Sequence, residues 1–206
     1  MPKARQATGR QQFNVPAPTS MPCMTASLPN DFQAARKPKK QPAPLEAILP
    51  INIVPLAEQP QHIDTLAHAL HAEWHDFAPW QNVEKIRAYY ARCLEGSSLP
   101  LAWLAVDGGR LLGSAALKRH DIAALPQYEY WLGDVFVLPE ARGRGVGRHL
   151  VEHALLEARR LGLPELYLYT PDVQAVYAKY GWREIETRPH NGETVSVMRL
   201  VLDGGA

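Results

Sequence analysis

Cysteine is nearly absent: Cys23 and Cys93 are the only two in 206 residues. Two are too few for a disulfide framework, which excludes the small stapled scaffolds of secreted proteins. No apolar run is long enough to span a bilayer. The N-terminus also lacks the continuous apolar core of a secretory leader. Neither charge dominates, because 22 Lys and Arg stand against 21 Asp and Glu, for a net charge of +1. That balance gives no global attraction to nucleic acid or to a membrane, and neither is expected as a partner. These absences point to a cytoplasmic protein in which Cys93 serves as a small buried hydrophobe.

Several catalytic constellations are missing too. No Ser-His-Asp order or Cys-His pairing stands out. His71 and His75 are spaced i and i+4, but the run His71-Ala72-Glu73-Trp74-His75 displaces the glutamate of H-E-x-x-H. No third ligand follows by spacing, so no metal is expected. A Walker loop needs Lys-Ser or Lys-Thr after its glycines, and none is present. A dinucleotide fingerprint fails because Arg148 stands where the third glycine belongs.

The chain divides into a tail, residues 1–46, and one domain, residues 47–206. The tail is rich in Pro, Gln, Ala and Thr and is expected to be disordered, since it has little apolar surface to offset its ordering entropy. Its basic cluster of Arg36, Lys37, Lys39 and Lys40 reads as a solvated leader, as sequence upstream of a start at Met21 or Met24, or as a targeting or nucleic-acid segment.

Within the domain, a strand is expected at 51–54. Helices are expected at 61–74, where Ile63, Leu66, Leu70 and Trp74 recur at helical spacing, and at 83–94. Residues 101–106 and 110–117 form a hairpin around Asp107-Gly108-Gly109. A strand at 128–137 runs into a glycine-rich loop. A helix over 145–161 follows, with Val146, Leu150, Val151, Ala154, Leu155, Ala158 and Leu161 on one stripe. Gly162 and Pro164 end it. A strand at 165–170, a short helix carrying Tyr177, and a hairpin of 182–188 with 194–202 turning at Asn191-Gly192 complete the domain. This mixture of antiparallel hairpins and helices is α/β of a mixed, α+β-like kind, not a regular doubly wound alternation.

The most informative stretch is Val135-Phe136-Val137-Leu138-Pro139-Glu140-Ala141-Arg142-Gly143-Arg144-Gly145-Val146-Gly147-Arg148. A strand stops at a proline, a basic glycine-rich loop follows, and a helix starts at once. Glycine lets the backbone approach a ligand closely, and a fresh helix N-terminus bares unpaired N–H groups at the positive dipole end. Together they form an anion site, suited to a phosphate or pyrophosphate, with Arg142, Arg144 and Arg148 adding formal charge.

Arg142-x-x-Gly145-x-Gly147, after Val-Phe-Val-Leu-Pro, resembles the acetyl-CoA signature R/Q-x-x-G-x-G/A of the GNAT N-acetyltransferase superfamily. Tyr177-Ala178-Lys179-Tyr180-Gly181-Trp182 resembles that family's Y-x-x-x-G-[FYW] block, and Thr170-Pro171-Asp172 resembles a T-x-D run seen in some members. The resemblance covers about residues 51–202 and is specific in the second half only. It implies a central, twisted, mostly antiparallel mixed sheet whose middle strands splay apart to admit acetyl-CoA, flanked by helices.

The resemblance also implies residue roles. Cofactor binding falls to Phe136, Val137 and the loop Arg142, Gly143, Arg144, Gly145, Val146, Gly147 and Arg148, with the amide of Phe136 or Val137 on the thioester oxygen. Tyr177 maps to the general acid. The family's strand glutamate, eleven residues ahead of the signature arginine, is Trp131 here. The nearest substitutes as base are Asp134 and then Glu129, with a water chain as the other route; strand alternation puts these two acids on opposite faces unless a bulge intervenes. The aromatic and acidic join of the first two helices, with Trp74, Asp76 and Trp80, and Trp131 beside it, is expected to take the acceptor, a small cationic amine or a protein or peptide amine. Direct transfer from acetyl-CoA, without a metal, is the implied reaction, by a monomer or a homodimer. The rival reading is a non-catalytic module that binds or senses acyl-CoA.

Overall fold

The computed structural model describes residues 50–96 and 98–202. The tail expected over 1–46, its basic cluster, Cys23 and the domain boundary near residue 47 lie outside the described residues.

Seven strands form one sheet: β1 Asn52–Pro55, β2 Leu101–Asp107, β3 Arg110–Arg119, β4 Tyr130–Val137, β5 Glu165–Thr170, β6 Arg183–His190 and β7 Glu193–Val201. Their order is β1-β2-β3-β4-β5-β7-β6. The hairpin turns fall where Gly108-Gly109 and Asn191-Gly192 allow positive φ at both central positions. Every neighbouring pair is antiparallel except β4 and β5. Those two run parallel and meet through a single pair, Trp131 opposite Tyr167. The sheet is therefore nearly split in two at its middle, as the resemblance implies.

Helices cover both faces: α1 Ile63–Trp74, α2 Val83–Arg92, α3 Val146–Arg160 and the short α4 Gln174–Ala178. Strand alternation sorts the side chains between two cores. Ala102, Leu104 and Val106 of β2 pack with Leu66 and Leu70 of α1 and Ile86 and Tyr90 of α2. Trp103 and Ala105, one residue out of phase, pack with Leu150, Ala154, Leu155 and Ala158 of α3. Most boundaries shift by one or two residues from the sequence expectation. The last turn of α2 tightens into a 3-10 turn, Cys93–Glu95, closed by left-handed Gly96, and β4 begins at Tyr130. Cys93 is buried.

One irregularity organises the site. The β3–β4 register slips between Ser114 and Ala116, and Asp134 adopts φ +55°. This is a β-bulge, with an extra residue on β4. It resets the alternation: Leu132 packs on the α3 side and Phe136 on the α1–α2 side, although four residues separate them. The Ser114 hydroxyl donates to the Asp134 carbonyl at 3.2 Å, pairing a group that the bulge turns out of the ladder.

Candidate active site

Past the Trp131–Tyr167 pair, β4 and β5 separate, and a cavity of about 260 Å³ opens between them. Leu132 to Val135 of β4 and Leu168 to Thr170 of β5 line it. Trp74, Phe77 and Trp80 close it from the join of α1 and α2, Tyr177 from α4, and His190, Asn191 and Glu193 from the β6–β7 hairpin. Four carboxylic residues reach its wall, Asp121, Asp134, Asp172 and Glu193, and its described lining includes no Lys or Arg.

The aromatic corner is built locally. His71 donates through Nδ1 to the Trp80 carbonyl at 2.8 Å, which folds the segment after α1 back onto the helix. That hydrogen bond also occupies one ring nitrogen of the His71–His75 pair. Trp74 then meets Trp80 at 5.5 Å and Phe136 at 5.6 Å between ring centroids. Asn82 caps α2 by accepting from the Lys85 amide at 3.0 Å.

The residues expected from sequence separate into two groups. Trp74, Trp80, Asp134 and Tyr177 converge on this cavity. Trp131, Glu129 and Asp76 are not among its lining residues. Trp131 is fully buried on the closed side of the split, where the strands still pair; its Nε1 donates to the Tyr128 carbonyl at 2.8 Å and its ring packs on Tyr167. Glu129 precedes β4 and forms an ion pair with Arg119. Asp76 points to solvent beside His75. Asp121, Tyr169, His190 and Glu193 also line the cavity, and no sequence signal marks them. They come from separate elements and share no motif, so only the fold assembles them.

Asp134 is held in a buried ion pair. Lys118 Nζ lies 2.7 Å from its Oδ1 and 2.8 Å from Asp121 Oδ1. Burial raises the Asp134 carboxyl above the ordinary carboxylate range, and Lys118 offsets part of that. Burial alone lowers Lys118, but the two carboxylates outweigh it and raise it above the ordinary lysine value. Lys118 therefore stays charged, and the trio carries a net negative charge at the cavity wall when both acids are ionised.

Tyr177 is half-buried, edge-on to Trp182 at 6.2 Å. Burial, with a smaller contribution from Tyr180, pushes its phenol up to about 12. It holds its proton throughout the physiological range.

The glycine loop lies at the end of β4. Gly145 is left-handed, φ +81°, and is the N-cap of α3 with no side-chain cap. The first helical bond is from the His149 amide to the Gly145 carbonyl, so the amides of Val146, Gly147 and Arg148 precede the intrahelical ladder. A Cβ added to Gly147 would sit 3.5 Å from Val137 Cγ2, so the loop abuts the strand end. Leu138 N donates to Leu112 O at 2.9 Å. Period-two alternation then turns the Phe136 amide toward β3 and the Val137 amide toward the gap.

Each arginine beside the loop is paired with a carboxylate. Arg142 pairs with Glu73 at 2.6 Å, Arg144 with Asp107 at 2.9 Å and Arg148 with Glu152 at 2.8 Å. The first two tie the loop to α1 and to the β2–β3 turn, and the third lies within α3. Exposed pairs of this kind contribute about 0–1 kcal/mol, so they yield readily to a stronger anion.

Comparison with known proteins agrees with this geometry. A stretch of 75 residues is 41% identical to the mycothiol acetyltransferase of Geodermatophilus obscurus; it covers 35% of this chain and only 23% of that relative. The fold superposes on yncA of Salmonella typhimurium, solved with its cofactor acetyl-CoA, with a TM-score of 0.61 at 17% identity over 76% of this chain and 96% of the other. It also superposes on a chimera of the Vibrio cholerae spermidine N-acetyltransferase, with a TM-score of 0.56 at 18% identity over 74% and 95% of the two chains. At such identities these two likenesses speak for the fold alone. Residues 64–182, from α1 through the split sheet and the glycine loop to Trp182, match the acetyltransferase (GNAT) family, and the chain belongs to that family.

Proposed function

We propose that the protein is an N-acetyltransferase that moves the acetyl group of acetyl-CoA directly to a small cationic amine, with both substrates bound together. The carrying observation is the cavity itself. It opens in the split between β4 and β5, and the glycine loop that starts α3 abuts the end of β4 at Val137. It is walled by tryptophans and four acidic residues, with no Lys or Arg in its described lining. Such a wall suits an ammonium through ion pairing and cation–π contact. Its volume suits a small molecule better than a folded protein surface, and a protein or peptide amine is the other acceptor class to test.

The residues present fit acetyl-CoA. The amides of Val146, Gly147 and Arg148 are free to take the diphosphate. The Val137 amide, turned to the gap, is the donor for the thioester oxygen, and one well-aimed donor there contributes about 3 kcal/mol to the transition state. Acetyl-CoA supplies the activated acyl group. Tyr177, protonated at every working pH, donates to the departing sulfur. Against a thiol of ordinary pKa near 8.5, a phenol near 12 makes full transfer uphill by about 4–5 kcal/mol. The proton must therefore move as the C–S bond breaks, not before it.

The experiment is release of free thiol from acetyl-CoA, screened across small mono- and diamines, amino sugars and peptide amines. Turnover with a small cationic amine is the expected result. Tight acetyl-CoA binding with no turnover on any acceptor would leave the protein as an acyl-CoA-binding module.

A further inference from the structure

An ammonium must lose a proton before its nitrogen can attack, and a wall of carboxylates holds it all the more firmly in the charged form. Asp134 is poorly placed to take that proton. Its side chain is 2% exposed, its Oδ1 is bound to Lys118, and its Oδ2 is buried without a partner. Asp121, in the segment after β3, shares the Lys118 contact but is more open. Its side chain is 16% exposed and only Oδ1 is held, by the same Lys118.

Asp121 also stands between two spaces. It lines the acceptor cavity and, with Trp80, a second cavity of about 330 Å³ beside α2 and the end of β3. In that second space it is the only acid among the described lining residues, beside Lys118 and His120. The arrangement depends on Gly133. A Cβ there would lie 2.3 Å from Lys118 Cε, 2.8 Å from Lys118 Nζ and 3.2 Å from Asp121 Oδ2. Only glycine leaves room for the lysine to cross β4 and hold the aspartate with Oδ2 at the wall.

We propose that Asp121 is the catalytic base of the transfer, taking the acceptor's proton in the first cavity and releasing it to water through the second. The proposal rests on the acetyl-transfer reading. In the step, an N–H bond of the ammonium breaks, its electron pair stays on nitrogen, and an O–H bond forms at Asp121 Oδ2. The neutral nitrogen then attacks the thioester carbon. Of the two protons that nitrogen gives up, this one leaves as solvent H⁺, and the second restores the proton that Tyr177 gives to sulfur. The charged and titratable groups around Asp121 are Lys118 and Arg119 from β3, the adjacent His120, Asp134 from β4, Lys85, Tyr89, Tyr90 and Arg92 from α2, Tyr169 from β5 and His190 from β6.

The test is the pH profile of kcat/KM, measured by thiol release with the best amine for the wild-type protein and for Asp121→Asn. The Lys118–Asp134 pair survives in that variant. A loss of about 100-fold at pH 7 is expected, shrinking steadily toward pH 10 as the amine deprotonates unaided. Asp121→Glu, which keeps a carboxylate, is expected to stay within about tenfold of wild type with an unchanged profile. A loss equal at every pH, no loss at all, or a Glu variant as slow as the Asn variant overturns the assignment. A wild-type protein that turns over no amine overturns the acetyl-transfer reading, and the base with it.

Discussion

Tyr177 and Gly145 are single residues on which the proposed chemistry turns. Tyr177→Phe removes the proton donor and keeps the packing against Trp182. Its kcat is expected to fall by about tenfold or more while acetyl-CoA affinity holds, checked by steady-state kinetics beside calorimetric binding. Because burial lifts the Tyr177 phenol to about 12, it stays protonated to the alkaline end of any practical assay. The wild-type rate is therefore expected to rise with pH and level off, with no decline below about pH 10; a falling limb near pH 9 would remove Tyr177 as the acid. Gly145→Val places a β-branched side chain at φ +81°, in the turn that presents the free amides. Loss of acetyl-CoA binding is expected, and unchanged affinity would refute the loop assignment.

At the level of elements, β4 and α3 cooperate. The bulge at Asp134 turns the strand's alternation over, and the slim contact with β5 leaves the gap open. α3 holds the other side of that arrangement, because its buried stripe of Val146, Leu150, Val151, Ala154, Leu155 and Ala158 anchors the helix whose first turn abuts Val137 at the end of β4. Leu150→Ala is expected to cost about 2–5 kcal/mol of stability, read as a lowered denaturation midpoint in urea. The buried Lys118 gives a second test. Lys118→Met leaves Asp134 and Asp121 facing each other without their cation. A loss of about 3–5 kcal/mol is expected at neutral pH, relieved on acidification as Asp134 takes up a proton. A variant as stable as wild type would mean that the pair contributes nothing.

For the whole molecule, pH acts through histidines folded against aromatic rings. Burial lowers His153, 5.6 Å from the Trp103 ring, and His190, 4.8 Å from Tyr169. A depressed folded-state value means that the neutral form is the one the fold prefers. The stability it gives is present above the unfolded value of about 6.5 and is lost as pH falls through the lowered values. Melting temperature is expected to fall between pH 7 and pH 5, and removing both imidazoles with His153→Gln and His190→Gln should flatten that fall. The features legible in the chain are local: the glycine loop, the hairpin turns, the stripe of α3 and the Tyr177 block are each written in consecutive residues or in one period. Face assignments along β4 were not legible, because one extra residue in αL conformation inverts every side chain beyond it and alternation alone does not announce the insertion. Trp131 and Glu129 precede that insertion and miss the cavity because Trp131 sits where β4 and β5 still pair and Glu129 pairs with Arg119 ahead of the strand, while Lys118, Asp121, His190 and Glu193, remote from one another in the chain, meet only when the sheet closes. Periodicity and turn chemistry act between near neighbours, whereas the acidic cavity and its buried lysine arise from contacts between distant strands and exist only once the chain has folded.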